Sequence, residues 1–249
     1  MSLSDIKKME KVCRLAAETL QYAETLIQPG VTTQDINDAI HERTLSIGCT
    51  SAPLNYHGFP KSICTSVNDI VCHGVPRPDE ILMPGDIINV DVTLKKDGFF
   101  GDTSRTFFVG EVSDRAKKIT DAARKGMYAG IEQVKAGKRT GDIGHATNKI
   151  VTAMGFHTVK TIGGHGIGNE FHKDPFVPAY GRPGQGEILR ENTCLTVEPM
   201  VNETSEDYVD IAIPGSSVAA YRTIDGTLSA QFEHTLLVTK EGYVNLTEW

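Results

Sequence analysis

Ile87-Ile-Asn-Val-Asp-Val-Thr-Leu-Lys-Lys-Asp-Gly-Phe-Phe-Gly-Asp-Thr-Ser-Arg-Thr-Phe107 reads as a β-hairpin. Ile88, Val90, Val92 and Leu94 alternate with Asn89, Asp91 and Thr93, the two-residue period of a strand with one apolar face. Asp97-Gly98 is a strong two-residue turn signal, and pairing Lys96 with Phe99 across it sets the register. Thr93 then faces Asp102 and Asp91 faces Ser104, so the two aspartates become diagonal neighbours on one face, roughly 7–8 Å apart. Two carboxylates held that close repel unless a positive charge sits between them, and a divalent cation is the natural candidate. The plain alternative is a pair of solvated aspartates on the polar face of an amphipathic hairpin.

The rest of the chain sets the bounds. It has 249 residues, 39% hydrophobic and 23% charged, which is enough apolar material for a large core in one domain. A net charge of −7 gives no electrostatic footprint for nucleic acid or an anionic membrane. No apolar run reaches the length of a membrane span, and Met1-Ser-Leu-Ser-Asp5 lacks the basic start and apolar core of a signal peptide. The five cysteines contain no CxxC pair, and in such a chain they read as reduced thiols of a cytoplasmic protein.

An internal repeat organises the sequence. Pro29-Gly-Val-Thr-Thr-Gln-Asp-Ile-Asn-Asp-Ala39 resembles Ala136-Gly-Lys-Arg-Thr-Gly-Asp-Ile-Gly-His-Ala146. Gly30/Gly137, Thr33/Thr140, Asp35/Asp142, Ile36/Ile143 and Gly48/Gly155 share one offset of 107 positions. Each copy follows a long helical pattern, about Ser4–Gln28 and Ser113–Lys135, and opens another helix; Thr32 with Asp35 forms a capping-box signature. Two helix–helix–sheet units, about 1–110 and 111–249, predict a single domain with pseudo-two-fold symmetry and a site at the junction of its halves.

The second half supplies further candidate ligands. Gly163-Gly-His-Gly-Ile-Gly-Asn-Glu-Phe-His172 puts His165 and His172 in a glycine-rich stretch that leaves His165 few side-chain neighbours. Glu198 in Leu195-Thr-Val-Glu-Pro-Met200 and Glu233 in Ala230-Gln-Phe-Glu-His-Thr-Leu-Leu-Val238 interrupt strand-like apolar runs. A glutamate there is costly if buried alone; the alternative is an edge or half-exposed strand. His73, read by itself, is a part-buried histidine bonded to backbone after a strand.

Eight landmarks in order give these residues a family context: Tyr56-His-Gly-Phe-Pro-Lys-Ser62, Val71-Cys-His-Gly74, Asn89-Val-Asp-Val92, Gly101-Asp-Thr-Ser104, Gly164-His-Gly-Ile-Gly168, Phe171-His-Lys-Asp-Pro175, Thr196-Val-Glu-Pro-Met200 and Gln231-Phe-Glu-His-Thr235. From about Gln34 to Val238 the chain resembles the type I methionine aminopeptidases. The resemblance implies an α+β pita-bread fold with internal pseudo-two-fold symmetry. It also implies an enzyme that removes the initiator methionine from nascent chains when the second residue is small. By the same match, Asp91, Asp102, His165, Glu198 and Glu233 are the ligands of a dinuclear metal centre, with Asp102 and Glu233 bridging. The oxygen-rich set with one imidazole suits manganese, iron or cobalt, with zinc compatible. Glu198 is implied as proton shuttle, His172 as stabiliser of the tetrahedral oxyanion and His73 as the contact to the scissile amide.

The methionine pocket is implied to use Tyr56, Cys64 and Phe171 with His57 at its entrance, and a monovalent cation, sodium or potassium, to rest on backbone carbonyls of Asn68, Ile70 and Ser229. Working at the ribosome exit, such an enzyme meets nascent N-termini. One departure stands out: the family commonly has a tryptophan in an acidic-glycine-tryptophan-threonine stretch before the Glu233 strand. This chain has Ser216-Ser-Val-Ala-Ala-Tyr221 there, and its one tryptophan is Trp249. The segment Asn202–Pro214 is also unlike the usual loop. No room exists between His172 and Glu198 for a type II insertion, and no zinc-finger extension or added prolidase-like domain precedes the first helix. The alternative reading is a pita-bread binding module that has lost its metals; retention of all five ligands with His73 and His172 weighs against it.

Overall fold

The computed structural model describes residues 1–249. The first half runs α1 (Leu3–Leu26), α2 (Thr33–Ser46), β1 (Thr50–Ser51), β2 (Cys64–Val67), β3 (Ile70–Cys72), β4 (Ile87–Lys96) and β5 (Phe99–Phe108). The second runs α3 (Asp114–Ile131), α4 (Thr140–Ala153), β6 (His157–Thr158), β7 (Gly164–Ile167), β8 (Lys173–Val177), β9 (Cys194–Val197), β10 (Met200–Asn202), β11 (Tyr208–Ala212), β12 (Ala219–Thr223), β13 (Ser229–Val238) and β14 (Tyr243–Asn245). The main sheet has the order β1-β4-β5-β13-β9-β7-β8, with β2, β10, β14 and β6 attached to its flanks; β11-β12-β3 form a second, smaller sheet. Helices lie against one face of the main sheet, an α+β arrangement.

The hairpin has the register that alternation predicts: Lys96 pairs with Phe99, Thr93 with Asp102 and Asp91 with Ser104. Asp97 and Gly98 both adopt positive φ (51° and 82°), as a two-residue turn matching the strand twist requires. Val90, Val92 and Leu94 bury one face against Met9, Val12, Cys13, Ala16 and Leu20 of α1. Each such side chain contributes about 1.5–3 kcal/mol of hydrophobic stabilisation. Gly101 makes the approach possible, because a Cβ there would stand 2.7 Å from the Cys13 backbone nitrogen. The second helix layer is built the same way, with Ile119, Ala123 and Met127 of α3 against Val197, Phe232 and Leu236.

The 107-residue offset reappears as geometry. Gly30 N donates to Leu82 O (2.8 Å) as Gly137 N does to Leu189 O (2.9 Å), and Thr33 N to Glu80 O as Thr140 N to Glu187 O (both 3.0 Å). The isolated bridges Thr32↔Ile81 and Arg139↔Ile188 keep the same offset. The Thr32–Asp35 capping box is formed at α2. Helix ends fall short of the sequence expectation: α1 stops at Leu26 rather than Gln28, because Ile27 is already extended and a residue before proline disfavours helical ψ. α3 gives way after Ile131 to the three-residue turns that carry Gln133 and Val134. All five cysteines are buried free thiols, and no helix is long and apolar enough to cross a membrane.

Candidate active site

Strand pairing brings the acidic residues together. Ser104 of β5 is opposite Asp91 on one side and Glu233 on the other, so Asp91, Ser104 and Glu233 form a row across β4, β5 and β13. Asp102, two residues before Ser104, is diagonal to both. Glu198 follows the last residue of β9, whose Val197 pairs with His234 next to Glu233. His165 comes from β7 at a bulge in its pairing with β8. Its Nε2 lies 3.6 Å from Asp102 Oδ2 and 3.4 Å from Glu198 Oε1. Ligand atoms of Asp102, His165 and Glu233 all lie within 4.8 Å of one another.

Neutral neighbours fix the carboxylates. Thr93 Oγ1 donates to Asp102 Oδ1 (2.6 Å), Thr196 Oγ1 to Glu198 Oε1 (2.8 Å) and Gln231 Nε2 to Glu198 Oε2 (3.1 Å). His165 Nδ1 faces the Gly166 carbonyl at 3.1 Å; with the proton on Nδ1, its Nε2 presents a lone pair to the carboxylates. No lysine or arginine pairs with any of the four acids.

The electrostatic consequence is severe. Asp102 and Glu233 are only 4% and 1% exposed. Burial, and then the neighbouring Asp102, push the Asp91 and Glu233 carboxyls well above the usual range. Burial pushes Glu198 up to about 7. Burial lowers the His165 pKa, but Asp102 and Glu198 outweigh it and the net shift is upward. Asp91 Oδ1 and Glu233 Oε1 are buried with no hydrogen-bond partner. Four acids and one imidazole, with two carboxylate oxygens unengaged, fit divalent cations of hard or borderline character.

A cavity of about 240 Å³ opens onto this cluster, lined also by the apolar or aromatic Tyr56, Phe59, Cys64, Phe171, Met200 and Val218 and by His73 and His172. It is smaller than the ~300–1,000 Å³ of pockets that take drug-sized ligands, the scale of one side chain. Tyr56 OH lies 2.9 Å from His172 Nδ1, and burial with His165 alongside pushes the His172 pKa down to about 4. His73 follows β3 with a φ of 57°, its Nδ1 3.1 Å from the Ala219 carbonyl; burial lowers its pKa.

The structure therefore gathers Asp91, Asp102, His165, Glu198, Glu233, His73, His172, Tyr56, Cys64 and Phe171 around one cavity. His57 is outside the lining; its ring stands edge-on to Tyr56, and its carbonyl accepts from Ser217 N (2.9 Å) and Ser216 Oγ (3.0 Å). Asn68 and Ser229 are joined by a 2.8 Å hydrogen bond from Ser229 N, and Ile70 pairs with Arg222 of β12. One alternative falls away and one expectation is corrected. β13 is buried from end to end, so Glu233 is on no edge strand. His165 is not short of neighbours: its ring lies 4.3 Å from that of His172 and 6.3 Å from Phe171, because the chain after Gly168 turns back over it. His73 has the backbone bond that its residue type suggests and lines the cavity as well. Sequence reading missed Gln231 and Thr196, although Gln231 shares the face of Glu233 by strand alternation. It also missed Val218, which lies in an irregular segment with no periodic signal.

Comparison with known proteins agrees with this geometry. Residues 7–240 match metallopeptidase family M24. The chain belongs to that family. Methionine aminopeptidase A of Synechocystis sp. is 45% identical over 247 residues, covering 99% of this chain and 96% of the relative. The methionine aminopeptidase of Rickettsia prowazekii is 45% identical over 239 residues, covering 96% and 91%. The crystal structure of methionine aminopeptidase from Rickettsia prowazekii superposes with a TM-score of 0.96 at 43% identity, covering 100% of this chain and 98% of that one. Xaa-Pro dipeptidase from Bacillus anthracis shares the fold alone, with a TM-score of 0.78 at 23% identity over 61% of its length. The fold of this M24 member is the pita-bread fold.

Proposed function

We propose that the protein is a methionyl aminopeptidase, a hydrolase that removes N-terminal methionine from nascent polypeptides in the cytoplasm, at the ribosome exit, when the second residue is small. One catalytic domain spanning 1–249 carries the activity, its site at the junction of the pseudo-repeats. The observation that carries this reading is the cluster of four carboxylates and one imidazole, Asp102 and Glu233 among them buried, that lines a cavity sized for one side chain without a lysine or arginine partner.

Asp91 would hold one divalent ion, His165 and Glu198 a second, and Asp102 and Glu233 both. Manganese, iron, cobalt and zinc all suit that donor set. When bound, such a pair polarises a carbonyl and acidifies water. The remaining work falls to the chain. Glu198 takes the proton of the attacking water and hands it to the departing amine. His172 is neutral at pH 7, since its pKa is about 4. With the Tyr56 hydroxyl donating to Nδ1, its Nε2–H donates to the oxyanion of the tetrahedral intermediate. His73 donates from Nδ1 to Ala219 O, leaving Nε2 to accept the N–H of the scissile amide and orient the leaving nitrogen. Tyr56, Cys64 and Phe171 receive the thioether, a soft group suited to aromatic and sulfur neighbours; His57 stands at the entrance. Sodium or potassium on the carbonyls of Asn68, Ile70 and Ser229 would brace β2, β3 and β13 beside the site.

The test is cleavage of a Met-X-Met series by protein stripped of metal and reloaded. Expected are loss of activity on stripping, recovery with divalent ions, and kcat/KM for X of Gly, Ala or Ser at least ~10²-fold above X of Leu, the scale of a misplaced scissile bond. Equal rates for Ser and Leu would remove the small-residue rule, and activity that survives stripping would remove the metal reading.

A further inference from the structure

The strands that carry Asp102 and Glu233 belong to different halves of the molecule, and their ladder is only two pairs long: Phe232↔Arg105 and Glu233↔Ser104. On both sides of it, threonine hydroxyls replace direct backbone bonding. Thr106 Oγ1 donates to Gln231 O (2.8 Å) and accepts from Gln231 N (3.1 Å). Thr235 Oγ1 donates to Asp102 O (2.7 Å) and accepts from Asp102 N (3.4 Å). Thr103 Oγ1 donates to Glu233 O (2.8 Å) and accepts from the indole N–H of Trp249 (3.1 Å). The main-chain carbonyls of Asp102 and Glu233 are thus each held by a threonine of the opposite strand, and both threonines are fully buried.

The segment Leu246–Trp249 locks this cross-tie from behind. Leu246 N donates to Thr235 O (2.9 Å), and Thr235 N donates to Thr247 Oγ1 (3.0 Å). The Trp249 ring packs 4.5 Å from that of His234, and the Arg105 guanidinium lies 5.3 Å from the indole. The indole N–H uses the acceptor side of Thr103 Oγ1, which leaves the hydroxyl proton for Glu233 O alone.

We propose that Thr103, Thr235 and Trp249 are positioning residues that set the distance between the Asp102 and Glu233 carboxylates, and with it the capacity for a second divalent ion. This rests on the dinuclear reading above. A single ion can be held from one side of the cluster, but two ions need both shared carboxylates at one fixed spacing. Neither the sequence-local chain nor a full ladder fixes that spacing here; the reciprocal threonine bonds do. Loosening them therefore weakens the second binding event more than the first, a split that general destabilisation does not produce.

The experiment is titration of metal-stripped protein with Mn(II), following free ion and the spin-coupled pair by electron paramagnetic resonance, with thermal unfolding of the metal-free forms alongside. In Thr103→Val the first ion should bind within ~3-fold of wild type and the second ~10–100-fold more weakly, the usual scale for losing a partner behind a metal ligand. Thr103→Ser, which restores the hydroxyl, should bring the second ion back to within ~3-fold. Trp249→Phe keeps a ring and removes the N–H, so the second ion should weaken about 3–10-fold, the scale of one neutral hydrogen bond; it decides alone if Thr103→Val does not fold. Equal loss at both ions, or unchanged second-ion affinity in folded variants, overturns the positioning role and leaves the dinuclear reading intact. A wild-type protein that takes fewer than two ions overturns both.

Discussion

The two faces of the β4–β5–β13 sheet are built on opposite principles. Toward the helices, Val90, Val92, Leu94, Phe107 and Phe232 are buried among apolar side chains of α1 and α3. Toward the cavity, the intervening positions hold buried Asp102 and Glu233 and half-buried Asp91, with like charge and with unengaged oxygens on Asp91 and Glu233. The strands and their register are shared, and only the alternate residues differ. The comparison separates what makes the chain fold from what makes it act: the helix face stabilises the sheet, and the cavity face is held against its own repulsion by the rigidity the other face supplies.

Substitution on the cavity face breaks the comparison hardest. Asp102→Ala or Glu233→Ala should lower kcat/KM by about 10³-fold, the scale of losing one preorganised charge-stabilising group, and reduce bound metal. Glu233→Gln should be equally inactive, yet its metal-free form should be as stable as the parent or more so, since the amide replaces a carboxyl whose ionised form burial and Asp102 disfavour. A clear loss of metal-free stability in Glu233→Gln would contradict the idea that this face is strained.

The pH dependence follows from the same groups. Burial raises the folded-state pKa of Asp91, Glu198 and Glu233 above their unfolded values. Their contribution is therefore fully present below the unfolded carboxylate range, near pH 4, and is lost as pH rises through about 7 for Glu198 and through the raised values of the other two. Metal-free protein should lose denaturant resistance steadily from pH 5 to pH 8, whereas protein loaded with two ions should not. Chemical denaturation at both pH values reads the difference.

On the helix face, Gly101→Ala should cost about 1–3 kcal/mol by forcing β5 and α1 apart, because the added carbon meets the Cys13 backbone. Metal stoichiometry should be unchanged after refolding. The smallest effect is expected for Tyr56→Phe, which removes the hydroxyl facing His172. It should lower kcat about tenfold, one hydrogen bond's worth, with the affinity for both ions unaltered.

Much of this was legible in the sequence, for physical reasons that differ by region. The hairpin was readable because alternation and the Asp97-Gly98 turn together allow one register, which places Asp91, Thr93 and Asp102 on one face. The pseudo-repeat was readable because helix starts use short, position-specific signals, and Thr32 with Asp35 forms the cap those signals imply. The burial of Glu233 was not readable from its strand alone, since an apolar run with one acid fits an edge as well as a centre. The β11–β12 hairpin that replaces the expected loop, and Val218 in the wall, were not readable because their placement depends on long-range contacts: Ser216 and Ser217 on the His57 carbonyl, and Tyr221 on Cys72. Thr103 and Thr235 look like ordinary strand threonines; their role exists only where two halves of the chain meet.

Calorimetric titration of the metal-stripped protein with Mn(II) at pH 7, repeated in buffers of different ionisation enthalpy, tests the central claim most directly. Burial pushes Glu198 up to about 7, so it carries part of a proton at that pH, and cations that take its carboxylate must release that proton. The account predicts two equivalents of ion bound and protons released to the buffer on binding. A single equivalent, or binding whose heat is the same in every buffer, would contradict it.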